Sequence, residues 1–416
     1  MSTNLTELRE VSSTPLQQPR RRRLLKLAVF LVSGALCLAV FLAFDWTFSA
    51  AMKRAHMATA AANLPSCRIA DPVRHHAFQP SCATIDRWGE DSYVFATNSL
   101  GFRDEKVRDV PQNDPRPRIL VLGNSFTEGK TTWNETFVGR MADRFPQYEF
   151  LNAGEPSYSP SNYLNVVRMM LARGFDLDEV IVFVDNTSPH YEASFYRDVD
   201  ASGAVTGPEH ELRRHDWYTE MRFRLAKHMF ATSDVLQFLE RHLVGLGFYR
   251  ILYVFDVEWA AWTYRKVDEV APYPAGYAPL GLDRGLAKEK VKMDLLWQEL
   301  EKRNIPISVV VYPYPGLLIH DTVDSRLVRI WRQWCEGKCK RFITLFPAFF
   351  AARDKCSPFQ TGCWYEKLYA YGDVHYSSSG NALVADAVIK SLAEDPPAKL
   401  PKANLPPEPA SGRAAP

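Results

Sequence analysis

Arg118-Ile-Leu-Val-Leu-Gly-Asn-Ser-Phe-Thr-Glu-Gly129 is the stretch that decides how this chain folds. Its first five residues form a short apolar run closed by Gly123, the pattern of a strand buried in a parallel sheet. Ser125 follows at once, where a tight strand-to-helix turn projects a hydroxyl into a crevice. Working outward, Glu135 to Phe145 reads as a helix, Tyr148 to Asn152 as a strand, Ser161 to Arg173 as a helix and Val180 to Val184 as a third strand. Strands alternating with helices imply βαβ units and an α/β fold. Residues 195–280 break the rhythm. They are rich in Arg, His, Trp, Tyr and Leu, with helical periodicity from about 217 to 245, and read as a helical insertion. The alternation resumes with a helix at 286–303, the strand Ile307 to Tyr312, a helix at 321–336 and a strand from Phe342 to Leu345. The last helix runs from Ser378 to Leu392, with Leu383, Val384, Ala387 and Val388 on one face.

Upstream, the pattern is that of a membrane anchor. Arg20 to Arg23 are consecutive arginines, and Leu27 to Phe44 is an uncharged, mostly apolar run of eighteen residues. A bilayer needs about 20 apolar residues, which this run supplies if its flanks snorkel. Signal-peptide apolar regions are shorter, and no clean small-x-small site directly follows the run, although Ser49, Ala50 and Ala51 leave cleavage open. The expectation is an uncleaved single-pass anchor in the cell inner membrane. The arginines stay cytoplasmic and the rest of the chain is periplasmic or otherwise extracytoplasmic. The domain expectation is a cytoplasmic tail at 1–23, an anchor at 24–46, a juxtamembrane and β-rich lead-in at 47–117, an α/β domain at 118–394 and a disordered Pro-rich tail at 395–416. The formal net charge of +2 over 416 residues offers no argument for nucleic acid.

The cysteines agree with this placement. Cys37 lies in the apolar run, and the other six fall into local pairs. Disulfides belong to oxidising compartments. Cys67–Cys82, Cys335–Cys339 and Cys356–Cys363 are the simplest connectivity. Zinc at Cys335-x3-Cys339 lacks a His pair at finger spacing.

Three segments carry chemistry, each at the end of an expected strand or the start of an expected helix. Open parallel sheets bind ligands there. Ser125, in GNSFTEG, offers a hydroxyl nucleophile and a backbone N–H beside the start of a helix. Asp373-Val-His375 offers a base and a carboxylate that fixes its tautomer. Gly154, in NAGEPSYSP, can bring its N–H close to a substrate oxygen because no side chain intervenes. Each also has a plain structural reading, as a turn or a helix cap.

Together the three segments resemble the blocks of the SGNH/GDSL hydrolase superfamily. GNSFTEG looks like its nucleophile block, NAGEPSYSP like its glycine block and GDVHYSSSGNALVADAV like its Asp-His block. The resemblance covers residues 118–394, and TNSLGFRD looks like a lead-in found in envelope-polysaccharide members. It implies a three-layer α/β/α sandwich with a parallel sheet, flavodoxin-like in outline. It also implies Ser125 as nucleophile, His375 as base and Asp373 as its orienting acid. The oxyanion hole would come from the amides of Ser125 and Gly154, with Asn186 as a third donor and Thr187 as its alternative. Two positions depart from the family pattern. Asn124 stands where the family has Asp, and Val184-Asp-Asn-Thr-Ser-Pro-His190 replaces its Gly-x-Asn-Asp.

The expected activity is that of a serine esterase or O-acyltransferase on ester groups of a cell-envelope polysaccharide, with no cofactor and no metal. The partners would be a polysaccharide or acylated sugar and a membrane acyl-transfer protein. A catalytically inactive carbohydrate-binding module is the alternative, with Trp217, Tyr218, Trp259, Trp262 and Tyr264 either stacking on sugars or packing the insertion's own core. A P-loop nucleotide binder is a further one, because GNSFTEGKT approaches G-x-x-x-x-G-K-[ST]. Five residues rather than four separate its glycines, however, which would disrupt the phosphate nest. His190, Glu192 and His75-His76 carry weaker suggestions of metal or acid-base roles.

Overall fold

The apolar runs become the centre of a mixed sheet. The structure is a computed structural model and describes residues 18–59, 67–88, 91–196, 198–199, 205–206, 262–264, 277, 280–357, 361–370 and 373–397. Its strands are β1 (Arg68–Asp71), β2 (His75–Phe78), β3 (Ala83–Trp88), β4 (Asp91–Thr97), β5 (Arg103–Asp104), β6 (Arg118–Leu122), β7 (Glu149–Asn152), β8 (Glu179–Val184), β9 (Asp198–Val199), β10 (Val205–Thr206), β11 (Ile307–Val311) and β12 (Cys339–Thr344). The main sheet has the order β12-β11-β8-β6-β7-β5-β4-β3. The five strands from β12 to β7 are mutually parallel. Every residue of β6, β7, β8 and β11 is buried, as strands covered on both faces of a parallel sheet must be, including the polar Glu149 and Asn152 of β7.

Among the described residues, the α-helices of this domain are α2 (Ser125–Glu128), α3 (Phe137–Arg144), α4 (Pro160–Ala172), α5 (Ser188–His190), α6 (Leu282–Glu301), α7 (Pro315–His320), α8 (Arg326–Cys335), α9 (Phe346–Asp354), α10 (Thr361–Leu368) and α11 (Ser378–Glu394). The chain leaves β6 for β7 on one side, then crosses to β8 on the other. The strand order therefore reverses at β6, and the crevice such a reversal opens lies beyond its carboxyl end.

The lead-in adds three antiparallel strands to this same sheet. β5 pairs with β7 through Arg103 and Asn152, β4 pairs with β5, and β3 forms the edge. β1 and β2 make a separate hairpin, and the Cys67–Cys82 disulfide ties it to the start of β3. Closing a loop of that 15-residue separation contributes about 3 kcal/mol by restricting the unfolded chain. Cys335–Cys339 and Cys356–Cys363 are also bonded.

Two helix boundaries differ from the sequence expectation for local reasons. The helix expected at Glu135–Phe145 is a 3-10 turn, Trp133–Glu135, followed by α3. Thr136 separates them, because its side chain caps α3 by accepting from Gly139 N–H at 3.0 Å. The helix expected at 321–336 begins only at Arg326, where the Ser325 hydroxyl accepts from Leu327 N–H. α9 and α10, which no strong periodicity announced, fill the path from β12 to α11. Most of the expected insertion at 195–280 lies outside the described residues, including Trp217, Tyr218 and Trp259, as do the tails 1–17 and 398–416. Trp262 is fully buried, and the Tyr264 ring stacks on His320.

The chain divides into two compact units, and the α/β domain belongs to the second. Helix α1 (Gln18–Thr59) belongs to the first. Its segment Arg22–Thr47 has 26 residues long and apolar enough to cross a membrane, none of them buried. At 1.5 Å per residue it reaches about 39 Å, against a hydrocarbon core of about 30 Å. A membrane anchor and an N-terminal signal sequence share this description.

Candidate active site

Ser125 sits directly beyond the carboxyl end of β6 as the first residue of the one-turn helix α2. The turn is tight because Gly123 and Asn124 make it so. A Cβ on Gly123 would collide with the Thr127 hydroxyl. Asn124 caps the turn, its Oδ1 accepting from Phe126 N–H at 3.0 Å. As the first helical residue, Ser125 has an N–H with no intrahelical acceptor.

Asp373 and His375 lie in the turn between α10 and α11. The bridge between Tyr369 and Tyr376 closes that turn, and Ala370 N–H donates to the His375 carbonyl at 2.8 Å. Asp373 Oδ1 accepts both the His375 backbone N–H, at 2.9 Å, and its Nδ1–H, at 2.5 Å. The dipeptide spacing thus bends back on itself. On the far side of the ring, His375 Nε2 lies 2.7 Å from Ser125 Oγ. With Nδ1–H committed to the carboxylate, Nε2 is left to accept the serine proton. His375 is 8% exposed, so this chain of hydrogen bonds is largely shielded from water. Burial works to raise the Asp373 carboxyl, but hydrogen bonding and charge from His375 outweigh it and hold the carboxyl below its ordinary value.

The imidazole is held between two rings. Phe126 lies at 4.7 Å, tilted by 34°, and Trp88 meets it edge-on at 4.9 Å. Trp88 comes from β3, so the lead-in reaches the site. Lys130 Nζ lies 4.5 Å from the Trp88 ring centroid and 2.6 Å from Glu128 Oε2. Arg68 binds the other oxygen of this fully buried carboxylate at 2.7 Å. Burial pushes the Lys130 ammonium down despite Glu128. The lysine of the P-loop-like GNSFTEGKT is thus buried against its own carboxylate.

The other expected donors are placed less simply. Gly154 follows β7 and packs so closely that a Cβ would come within 2.6 Å of Glu128 N. Its own N–H donates to Asn152 Oδ1 at 3.0 Å. Asn186 follows β8, is buried, and accepts from Trp262 Nε1 through its backbone carbonyl at 2.8 Å. Thr187 gives both its N–H and its hydroxyl to Asp185 Oδ1, at 2.7 and 2.8 Å. Asp185 Oδ2 accepts from Asn124 Nδ2 at 2.5 Å, Tyr312 at 2.9 Å and Tyr314 at 3.1 Å. Asp185 thereby ties the serine turn to the loop after β8.

Sequence reasoning missed how the lead-in hairpin grips the second loop. Pro156 and Ser157 form the corner of a turn closed by Tyr158 N–H to the Glu155 carbonyl at 3.2 Å. Ser157 has φ 61°, a left-handed conformation that favours glycine. His76 Nε2 binds the Pro156 carbonyl at 2.7 Å, and Phe78 N–H donates to Glu155 at 3.0 Å. Glu155 is buried, which pushes its carboxyl well above the ordinary range although Arg74 counteracts it. His75 Nδ1 faces His76 Nδ1 at 3.1 Å, and no group of three or more metal-ligating side chains occurs among the described residues. Glu192 is occupied at the start of α4, accepting from the hydroxyls of Ser159 and Ser161 at 2.6 and 2.8 Å.

No protein-family model matches this chain, and no curated protein matches it. Among solved structures it is similar to the psychrotrophic esterase EstA from Pseudoalteromonas sp., at 10% identity over 67% of this chain and 97% of that one, with a TM-score of 0.33. It is also similar to a member of the lipolytic protein G-D-S-L family from Veillonella parvula, at 13% identity over 66% and 96%, with a TM-score of 0.31. Likeness of this degree carries no argument about activity or substrate, which rest on the site itself.

Proposed function

We propose that this chain is a serine hydrolase or acyltransferase of ester bonds. The observation that carries the reading is the hydrogen-bonded chain from Ser125 Oγ through His375 to Asp373. Ser125 Oγ attacks the ester carbonyl while His375 Nε2 takes its proton. Asp373 stabilises the imidazolium and holds its orientation. The tetrahedral intermediate collapses as His375 returns the proton to the leaving alcohol, leaving an acyl-serine. A second alcohol or water, deprotonated by the same imidazole, then takes the acyl group and restores Ser125. The Ser125 N–H is one donor to the oxyanion, with Asn186 and, once its N–H is released from Asn152, Gly154 to complete the hole.

For the substrate we propose an O-acyl ester of a cell-envelope polysaccharide, handled outside the cytoplasm with water or a sugar hydroxyl as acceptor. A membrane acyl-transfer partner would supply the acyl group in the transferase case. Support comes from the apolar N-terminal helix, the three disulfides and the motif resemblance. One observation favours the non-catalytic alternative, a carbohydrate-binding module. The Gly154 N–H is already given to Asn152. Labelling with a fluorophosphonate separates the two. An activated serine predicts a phosphonyl adduct on the Ser125 peptide that His375→Ala abolishes. A folded protein with no adduct at Ser125 leaves the binding-module reading.

A further inference from the structure

We propose that Tyr365 is a positioning residue for Asp373, and that the Cys356–Cys363 disulfide is the strap that keeps it in place. The proposal rests on the Ser125–His375–Asp373 reading above. Asp373 has no regular secondary structure to hold it. Its N–H donates to the Tyr365 hydroxyl at 2.8 Å and to the Ala370 carbonyl, across the turn, at 3.1 Å. The same hydroxyl lies 2.7 Å from the Asp373 carbonyl and 3.1 Å from the Ala370 carbonyl, and donates its one proton between them. One phenol oxygen therefore clamps both peptide groups of the acid. Asp373 can present Oδ1 to the backbone and the ring of His375 together only while its own backbone is fixed.

Tyr365 is itself immobilised. It is fully buried on α10, and its ring stacks on Tyr369 at 6.1 Å with planes 22° apart. α10 is a short helix of eight residues, too short to be stable by its own propensity. Cys363 lies within it and is bonded to Cys356, just past the end of α9. Cys363 is exposed, so reductant can reach the bond. The strap thus links the oxidation state of a surface disulfide to the geometry of a buried acid. On the Ser125 side of the ring, Trp88 also contacts Lys130, which pairs with Glu128.

The test uses the full-length chain in detergent, with histidines labelled with 15N. The downfield proton resonance of His375 Nδ1–H, assigned by its loss in His375→Ala, reports the bond to Asp373 without any turnover. Tyr365→Phe removes only the hydroxyl. The expected result is that this resonance moves upfield or broadens, and that kcat on p-nitrophenyl acetate falls about 10- to 100-fold with KM little changed. Wild-type resonance position and linewidth in folded Tyr365→Phe overturn the proposal. Should Tyr365→Phe not fold, Cys356→Ser with Cys363→Ser is read in the same way, and an unmoved resonance there overturns it too. If the wild type never turns over the ester, the hydrolase reading fails while the resonance still decides the role of Tyr365.

Discussion

The indole of Trp88 meets the imidazole of His375 edge to face, with ring centroids 4.9 Å apart and planes 82° apart. The first residue ends the edge strand of the lead-in, and the second opens onto the last helix. With Phe126 on the ring as well, the imidazole is confined to the orientation that links Ser125 to Asp373. An aromatic pair of this kind contributes about 0.5–1.5 kcal/mol beyond its area. Trp88→Ala should therefore lower kcat/KM for a small ester about 3- to 10-fold, and Trp88→Phe should recover part of that loss. Equal activity in wild type and Trp88→Ala, measured on folded protein, would show that the contact does not position the base.

Asn124 and Asp185 form a second pairing across the site, at 2.5 Å. The amide donates to the carboxylate through Nδ2 and accepts from Phe126 N–H through Oδ1. Asn124→Asp would remove the donor and set a second carboxylate against Asp185. Such a pair is tolerated only if it shares a proton. The expected cost is about 3 kcal/mol near neutral pH, and smaller in acid where the shared proton is bound. Chemical denaturation at pH 5 and pH 8 measures it, and an equal cost at both pH values would contradict the account.

Glu155 gives a pH dependence with a definite sign. Burial raises its folded-state pKa well above the ordinary glutamate range. Between the unfolded and folded values the native state binds the extra proton, so stability falls as pH rises. Glu155→Gln keeps an acceptor for Phe78 N–H and has no proton to lose. It should raise the melting temperature relative to wild type at pH 8, with the difference shrinking toward pH 5. A difference that grows in acid would mean that the carboxylate, paired with Arg74, is the stabilising form.

The sequence made some of this legible and hid the rest, for physical reasons. β6, β8 and β11 are continuous apolar runs, and their burial follows from composition alone. Gly123, Asn124 and Ser125 specify their turn locally, as does the Asp373-Val-His375 spacing. The disulfide connectivity was also legible, because each pair is close in sequence. The role of Trp88 was not, because β3 carries no local sign of which distant ring its end will meet. The joining of β5 to β7 through a single residue pair, Arg103 and Asn152, is likewise a long-range event. Asp185 lay in a loop read for Asn186, and only the folded chain brings its carboxylate to Asn124. α10 was missed because eight residues held by a disulfide need little periodicity of their own.

The central claim is that Ser125 is activated by His375. Hydrolysis of p-nitrophenyl acetate by the purified full-length chain, wild type beside Ser125→Ala and His375→Ala, tests it most directly. The account predicts turnover by wild type and a loss of about 10³-fold or more in each variant, with folding intact. Folded wild type that hydrolyses the ester no faster than Ser125→Ala would contradict it.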